Sequence, residues 1–173
     1  MKKLMWIAGI CEEKTRERIV KLAEKYNEDL KLSSRFLIFP LHVSFKRSFY
    51  TEDFDSIKSG LKELMCGRKT IDLGKSYPER VDDMIWIRFE KEDEIKMLHR
   101  DIDLFLKERY GVMIDPFDEN YKAHMTLFRD DDERKLDQMF ERLNKEWIFD
   151  PIRIDTYFIG SKSDENEYFE LKG

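Results

Sequence analysis

Cysteine is scarce in this chain: Cys11 and Cys66 are the only two among 173 residues. Two are too few for a disulfide framework, and neither C-x-x-C nor H-x-x-x-H occurs, so the ligand pairs from which zinc sites are built are missing. Both thiols are expected to be reduced and mostly buried in a cytoplasmic protein. Glycine (seven) and proline (four) are sparse as well. No Gly/Ser linker or low-complexity tract divides the chain, so residues 1–173 read as one domain. The absence of a G-x-S-x-G elbow argues against a serine nucleophile, and the absence of a P-loop or dinucleotide fingerprint argues against ATP-driven ligation. No apolar run reaches the length of a membrane span. "MKKLMWIAGIC" mimics a secretion signal, but its apolar run is at the short limit and "GICEEK" is a poor cleavage site, so a first β-strand is expected there.

What is present is an ample core and a charged surface. Apolar residues make up 41% of the chain and aromatics 13%, with thirteen Phe. That is enough to fill the interior of a domain of this length. Charged residues reach 40%, with both signs interspersed, as on a solvated face. The net charge of −5 argues against broad coating of nucleic acid, while leaving room for a small anion in a local basic pocket.

Periodicity supplies the elements. Leu4–Cys11 reads as a buried strand. Stripes at helical spacing predict four amphipathic helices. The first carries Ile19, Leu22, Ala23, Tyr26 and Leu30. The second carries Phe54, Ile57, Leu61, Leu64 and Met65, with Thr51 as its expected N-cap and Gly67 as its stop. The third, over 91–110, carries Ile95, Leu98, Ile102 and Phe105; His99, beside that stripe, is expected to be partly exposed. The fourth carries Leu136, Met139, Phe140, Leu143 and Trp147. Strands are expected at 35–39, from His42, at 69–77 and 84–90 joined by a turn at "PERVDD", from His124, and at the end around "PIRIDTYFIG" and "EYFELK". Pro116 is expected to keep 112–122 out of helix.

The chain has three histidines, and two of them open matching hexapeptides, "HVSFKR" from His42 and "HMTLFR" from His124. A histidine followed by apolar, hydroxyl and apolar residues arises by chance about once in 70 trials, and a pair on the order of once in 2,000 chains, so the duplication is a signal where one copy is not. In a strand, residues i and i+2 share a face. His42 therefore points with Ser44 and Lys46, and His124 with Thr126, while Val43, Phe45, Met125 and Leu127 point into the core. The copies lie nearly half the chain apart, each followed by an acid-headed amphipathic helix, as in two lobes about a pseudo-twofold axis. Across a cleft, one neutral imidazole can take a proton while the other, protonated, gives one. Ser44 and Thr126 can hold phosphate oxygens. Lys46, Arg47 or Arg129 could neutralise the charge, although ideal alternation turns both arginines to the core, so a twist, bulge or strand end is expected to redirect one. Trp86, opposite the Ile85/Ile87 face, is a candidate platform for a base, with Tyr121, Tyr157 and Tyr168 as weaker ones.

With "HVSF" and "HMTL" in place, the chain resembles the two-histidine (2H) phosphoesterase superfamily, which includes 2′-5′ RNA ligase-like proteins and cyclic nucleotide phosphodiesterases. "LMWIAGIC" is similar to that family's first strand and "FIGSKSDENEYFELK" to its closing hairpin. The resemblance implies an α+β, bilobal, pseudo-twofold fold in which antiparallel sheets line a central cleft and helices pack outside. It implies a metal-independent phosphodiesterase with no cofactor, acting on a 2′,3′-cyclic phosphate or 2′-5′ linkage. His42 and His124 would be the acid–base pair, and Ser44 and Thr126 the phosphate holders. The expected partner is an RNA 3′ end or a small nucleotide, with no membrane and no obligate protein partner, and a monomer suffices. The competing expectation is an RNA-end or nucleotide binding module with little turnover.

Overall fold

The computed structural model describes residues 2–114, 116–161 and 167–170, with side chains described up to residue 160. Among the described residues, eight strands and five α-helices follow one another: β1 Lys3–Cys11, α1 Glu13–Leu30, β2 His42–Thr51, α2 Phe54–Met65, β3 Ile71–Asp72, β4 Ser76–Val81, β5 Met84–Phe89, α3 Asp93–Tyr110, α4 Pro116–Glu119, β6 Met125–Arg129, α5 Glu133–Glu146, β7 Arg153–Ser161 and β8 Glu167–Glu170. The strands form two antiparallel sheets. The first runs β2-β1-β7-β3, with β8 also on β7, and the second runs β4-β5-β6. The fold is α+β and bilobal, as expected from the sequence. Each duplicated histidine leads into an edge strand of its own sheet.

Alternation divides each sheet into a core face and a cleft face. On β1, Met5 and Ile7 join the main apolar core, while Ala8 and Ile10 join a small separate cluster with Phe158, flanked by Trp6 and Phe39. Ala8 pairs with Ser44 and Ile10 with His42, so this smaller cluster lies on the histidine side of the sheet. On β5, Ile85, Ile87 and Phe89 are buried and Trp86 and Arg88 lie between them on the other face. The helix stripes are core as expected. α3 lies along β2, and α5 lies against β4 and β5. Gly9 permits the tight layer behind β2: a Cβ there would stand 2.4 Å from Phe45 Cζ and 2.6 Å from Ile154 Cγ2.

Several boundaries differ from the sequence reading, each for an identifiable reason. Residues 35–39 are not a strand; Arg35–Leu37 form a 3₁₀ turn, closed by the Ile38 amide on the Arg35 carbonyl (3.2 Å). Ser33 and Ser34 already pair beside β6, and the chain must then turn sharply to enter β2. This leaves Leu37 and Ile38 about 70% exposed despite their β-forming side chains. The stretch 69–77 is two strands, one in each sheet, separated at Gly74, whose φ of +66° is easy only for glycine. β4 runs on through Pro78, tolerated because β4 is an edge. The hairpin turn is therefore only Asp82–Asp83, with Asp82 at φ +46°. Thr51 ends β2 and accepts the Asp53 amide (3.0 Å), so the N-cap of α2 is Asp53. Pro116 does not prevent a helix but opens the short α4, where its missing N–H has no partner to lose. Cys11 is buried, and burial pushes its thiol up to about 12, but Cys66 is exposed. The polar turn expected between the last two strands lies mostly outside the described residues.

Candidate active site

Each motif histidine is held in the same way by its own chain. His42 Nδ1 lies 2.9 Å from the Pro40 carbonyl, and His124 Nδ1 lies 2.8 Å from the Lys122 carbonyl, two residues back in both cases. A carbonyl only accepts, so Nδ1 carries the proton and Nε2 keeps its lone pair for chemistry. The surroundings then differ. His42 meets the edges of Trp6 (centroids 5.5 Å apart) and Phe39 (5.0 Å). His124 stacks flat on Trp86, with centroids 3.8 Å apart and planes 15° apart.

The two hexapeptides also share a backbone irregularity. Ala8 pairs with Ser44 but Ile7 pairs with Lys46, so Phe45 is an extra residue. Trp86 pairs with Thr126 but Ile85 pairs with Phe128, so Leu127 is the extra residue. The bulge falls directly after the hydroxyl residue in both motifs and reverses the facing of the next two residues. It turns the first of them, Lys46 or Phe128, to the interior, and the second, Arg47 or Arg129, outward.

Lys46 is therefore not at the cleft. It is 3% exposed, its ammonium 2.6 Å from Asp103 Oδ1 and in contact with the Asp118 carboxylate. The expectation that it binds substrate is corrected: the bulge moves it off the His42 face, and two buried carboxylates hold its charge. His99 belongs to the same network and is also corrected, being only 4% exposed. Its Nδ1 bonds the Phe45 carbonyl (2.6 Å) at the bulge, and its Nε2 is 3.3 Å from Asp103 Oδ2. Tyr121 stacks on His99 (3.9 Å) and donates its hydroxyl to the Ser44 carbonyl (2.9 Å). Burial holds the Tyr121 phenol well above its ordinary value, so it stays a donor. Three successive residues of β2, Ser44, Phe45 and Lys46, are thus tied to this network, which supplies the hydrogen bonds that a bulge withholds from the ladder.

A cavity of about 200 Å³ joins the lobes, lined by His42 from the first motif and Thr126 from the second, with Trp6, Arg35, Ile38, Phe39 and Leu41. Ser44 lies on the His42 face, paired with Ala8, but neither Ser44 nor His124 is among the residues that line this cavity. A larger hollow of about 710 Å³ lies along α3 and reaches His99, Asp103, Asp118 and Tyr121, but not the motif histidines. Arg129 is turned outward as expected of a redirected arginine, yet its Nε binds Asp83 (2.6 Å) at the hairpin turn. Trp86 is on the cleft face, but one side of its ring is taken by His124, so it supports an imidazole where an open base platform was expected. Tyr121 and Tyr157 are likewise occupied, one by His99 and the other by burial in the core; the Tyr168 side chain lies outside the described residues.

Both imidazoles are held below their ordinary value of 6.5. For His42 the largest cause is burial, opposed by the Pro40 carbonyl and reinforced by the charges of His124 and Arg35. For His124 the largest cause is again burial, opposed by the Lys122 carbonyl; Arg88 lowers it further, while Glu79 and Glu92 push it up. His42 thus feels only added positive charge, and His124 feels a mixed field. Sequence reasoning misses Trp6, Phe39 and Arg35. Trp6 lies in an apolar strand with no motif around it, and Phe39 and Arg35 lie in a stretch whose composition predicts a strand that does not form.

Comparison with solved structures gives the fold its class. Escherichia coli LigT complexed with 3′-AMP superposes with a TM-score of 0.60 at 13% identity, over 99% of this chain and 96% of that one. A crystal structure described as a phosphoesterase gives 0.63 at 13%, over 99% and 97%. Usb1 of Kluyveromyces marxianus gives 0.54 at 13%, over 98% of each chain. The chain therefore has the LigT-like fold along nearly its whole length. The sequence itself matches no protein-family model and no curated protein.

Proposed function

We propose that the protein is a metal-independent phosphodiesterase of the two-histidine type, acting on an RNA-type linkage, a 2′,3′-cyclic phosphate or a 2′-5′ bond. The observation that carries this reading is the matched pair of histidines. Both lead an edge strand and both tie Nδ1 to the carbonyl two residues back, which leaves Nε2 as the nitrogen available for chemistry, and one cavity is lined by His42 of the first motif and Thr126 of the second. In hydrolysis of a cyclic phosphate, His42 Nε2 takes a proton from water as its oxygen bonds to phosphorus. The bond from phosphorus to the ribose oxygen breaks, and His124 Nε2–H protonates that oxygen. Ser44 and Thr126 donate to the non-bridging oxygens. Burial, reinforced by the charges of His124 and Arg35, keeps His42 neutral, the state a base requires. At His124 burial and Arg88 oppose the charged form, but Glu79, Glu92 and the stacked Trp86 face favour it, so His124 is assigned the acid's part. Among the described residues, the histidine and carboxylates close enough to share a metal ion are His99, Asp103 and Asp118, a group that includes neither motif histidine.

The test is turnover in EDTA on 2′,3′-cyclic nucleotides, 2′-5′-linked oligomers and RNA with a 3′-terminal phosphate. The pH dependence has a definite sign. The rate falls at low pH as the base becomes protonated, and at high pH as the acid loses its proton. Both values are lowered from 6.5, so kcat/KM, which reports the free enzyme, should peak on the acid side of 6.5. A profile still at its plateau in alkaline solution would contradict this assignment.

A further inference from the structure

We infer that Arg35, which lies outside both histidine motifs, supplies the positive charge that binds the substrate phosphate between His42 and Thr126. This rests on the phosphodiesterase reading and names the cation of that same site. Three other cations near the motifs already have carboxylate partners. Lys46 is held by Asp103 and Asp118, Arg129 by Asp83, and Arg88 by Glu79 (2.8 Å) and Glu92 (2.9 Å). Arg35 lines the cavity with His42 and Thr126, and among the described residues no carboxylate is paired with it.

The fold fixes Arg35 there. The Arg129 amide donates to the Ser33 carbonyl (3.2 Å), Ser34 bridges Phe128, and the Phe36 ring packs edge-on against Phe128 (5.8 Å). Residues 33–36 are therefore laid along the free edge of β6, beside Thr126. The 3₁₀ turn then leads the chain to Pro40, whose carbonyl holds His42. One short segment thus joins the second motif's strand to the first motif's histidine, with Arg35 between them. A guanidinium presents a planar fork of donors that matches two phosphate oxygens, which a lysine cannot reproduce. Before substrate binds, the same charge disfavours protonation of His42; once the anion binds, that charge is compensated.

The experiment measures kcat/KM against pH, in EDTA, for wild type, Arg35→Gln, Arg35→Lys and Arg129→Gln on a 2′,3′-cyclic nucleotide. Arg35→Gln should lose about 10²-fold, the scale of one lost donor to a developing oxyanion, with Arg35→Lys between it and wild type and Arg129→Gln less affected than either. Removing the charge should also move the acidic limb of the Arg35→Gln profile to higher pH, because His42 is then easier to protonate. A merely structural role for Arg35 does not shift that limb. An active wild type with Arg35→Gln unimpaired, or with the main loss in Arg129→Gln, overturns the inference and leaves the two-histidine reading standing. If the wild type turns over none of the three substrate classes, the two-histidine reading itself has failed, and the inference with it.

Discussion

Replacing either His42 or His124 with alanine is expected to lower kcat/KM by about 10²–10⁴-fold, the share of a positioned acid or base. Among the described residues each histidine hydrogen-bonds the carbonyl two residues back and otherwise makes ring contacts, so either variant should still fold. The double variant should fall little further than the worse single one, because the two proton transfers belong to one step. The comparison also separates catalysis from binding. If the cleft only captured a nucleotide, neither alanine would alter a rate, and affinity would be the only quantity to change. Turnover that survives both substitutions would remove the mechanism while leaving the fold intact.

The second large effect concerns stability. Lys46→Met should destabilise the protein by about 3–5 kcal/mol, because it strands two buried carboxylates without their cation. In a chain of this size that is a fall in Tm on the order of 10 °C or more. The loss is set by the unpaired charges, and the apolar volume is nearly conserved. Adding Asp103→Asn and Asp118→Asn to Lys46→Met should therefore recover part of it, since neutral amides cost less to bury than carboxylates. Urea or thermal unfolding measures both changes. A Lys46→Met protein as stable as wild type would mean that the ammonium does not neutralise this pair. The same network secures the bulge behind Ser44, so residual Lys46→Met activity should fall by more than its folded fraction accounts for.

The two histidines, the hydroxyls and the helix stripes are legible in the sequence because each depends on periodicity alone. His42 and Ser44, or His124 and Thr126, share a face whatever the rest of the chain does. The bulges at Phe45 and Leu127 can be anticipated in kind, since an outward arginine requires some irregularity. Their consequence for Lys46 cannot, because which residue is extra is decided by the partner strand. His99 sits next to an apolar stripe, where the pattern predicts partial exposure; its partners at positions 45, 103 and 118 are brought together only by the fold. Arg35 is hidden by β-forming neighbours. Leu37 and Ile38 have strand propensity, but the chain needs a tight turn there to pass from the edge of β6 into β2.

The most direct test is a crystal structure of the unmodified protein soaked with a slowly hydrolysed 2′,3′-cyclic nucleotide analogue. The expected result is one phosphate in the interlobe cavity with Nε2 of His42 and Nε2 of His124 both within about 2.6–3.2 Å of its oxygens or of the attacking water. A phosphate that engages only one of the two rings, or that settles in the hollow along α3, would contradict the shared site on which the proposed chemistry depends.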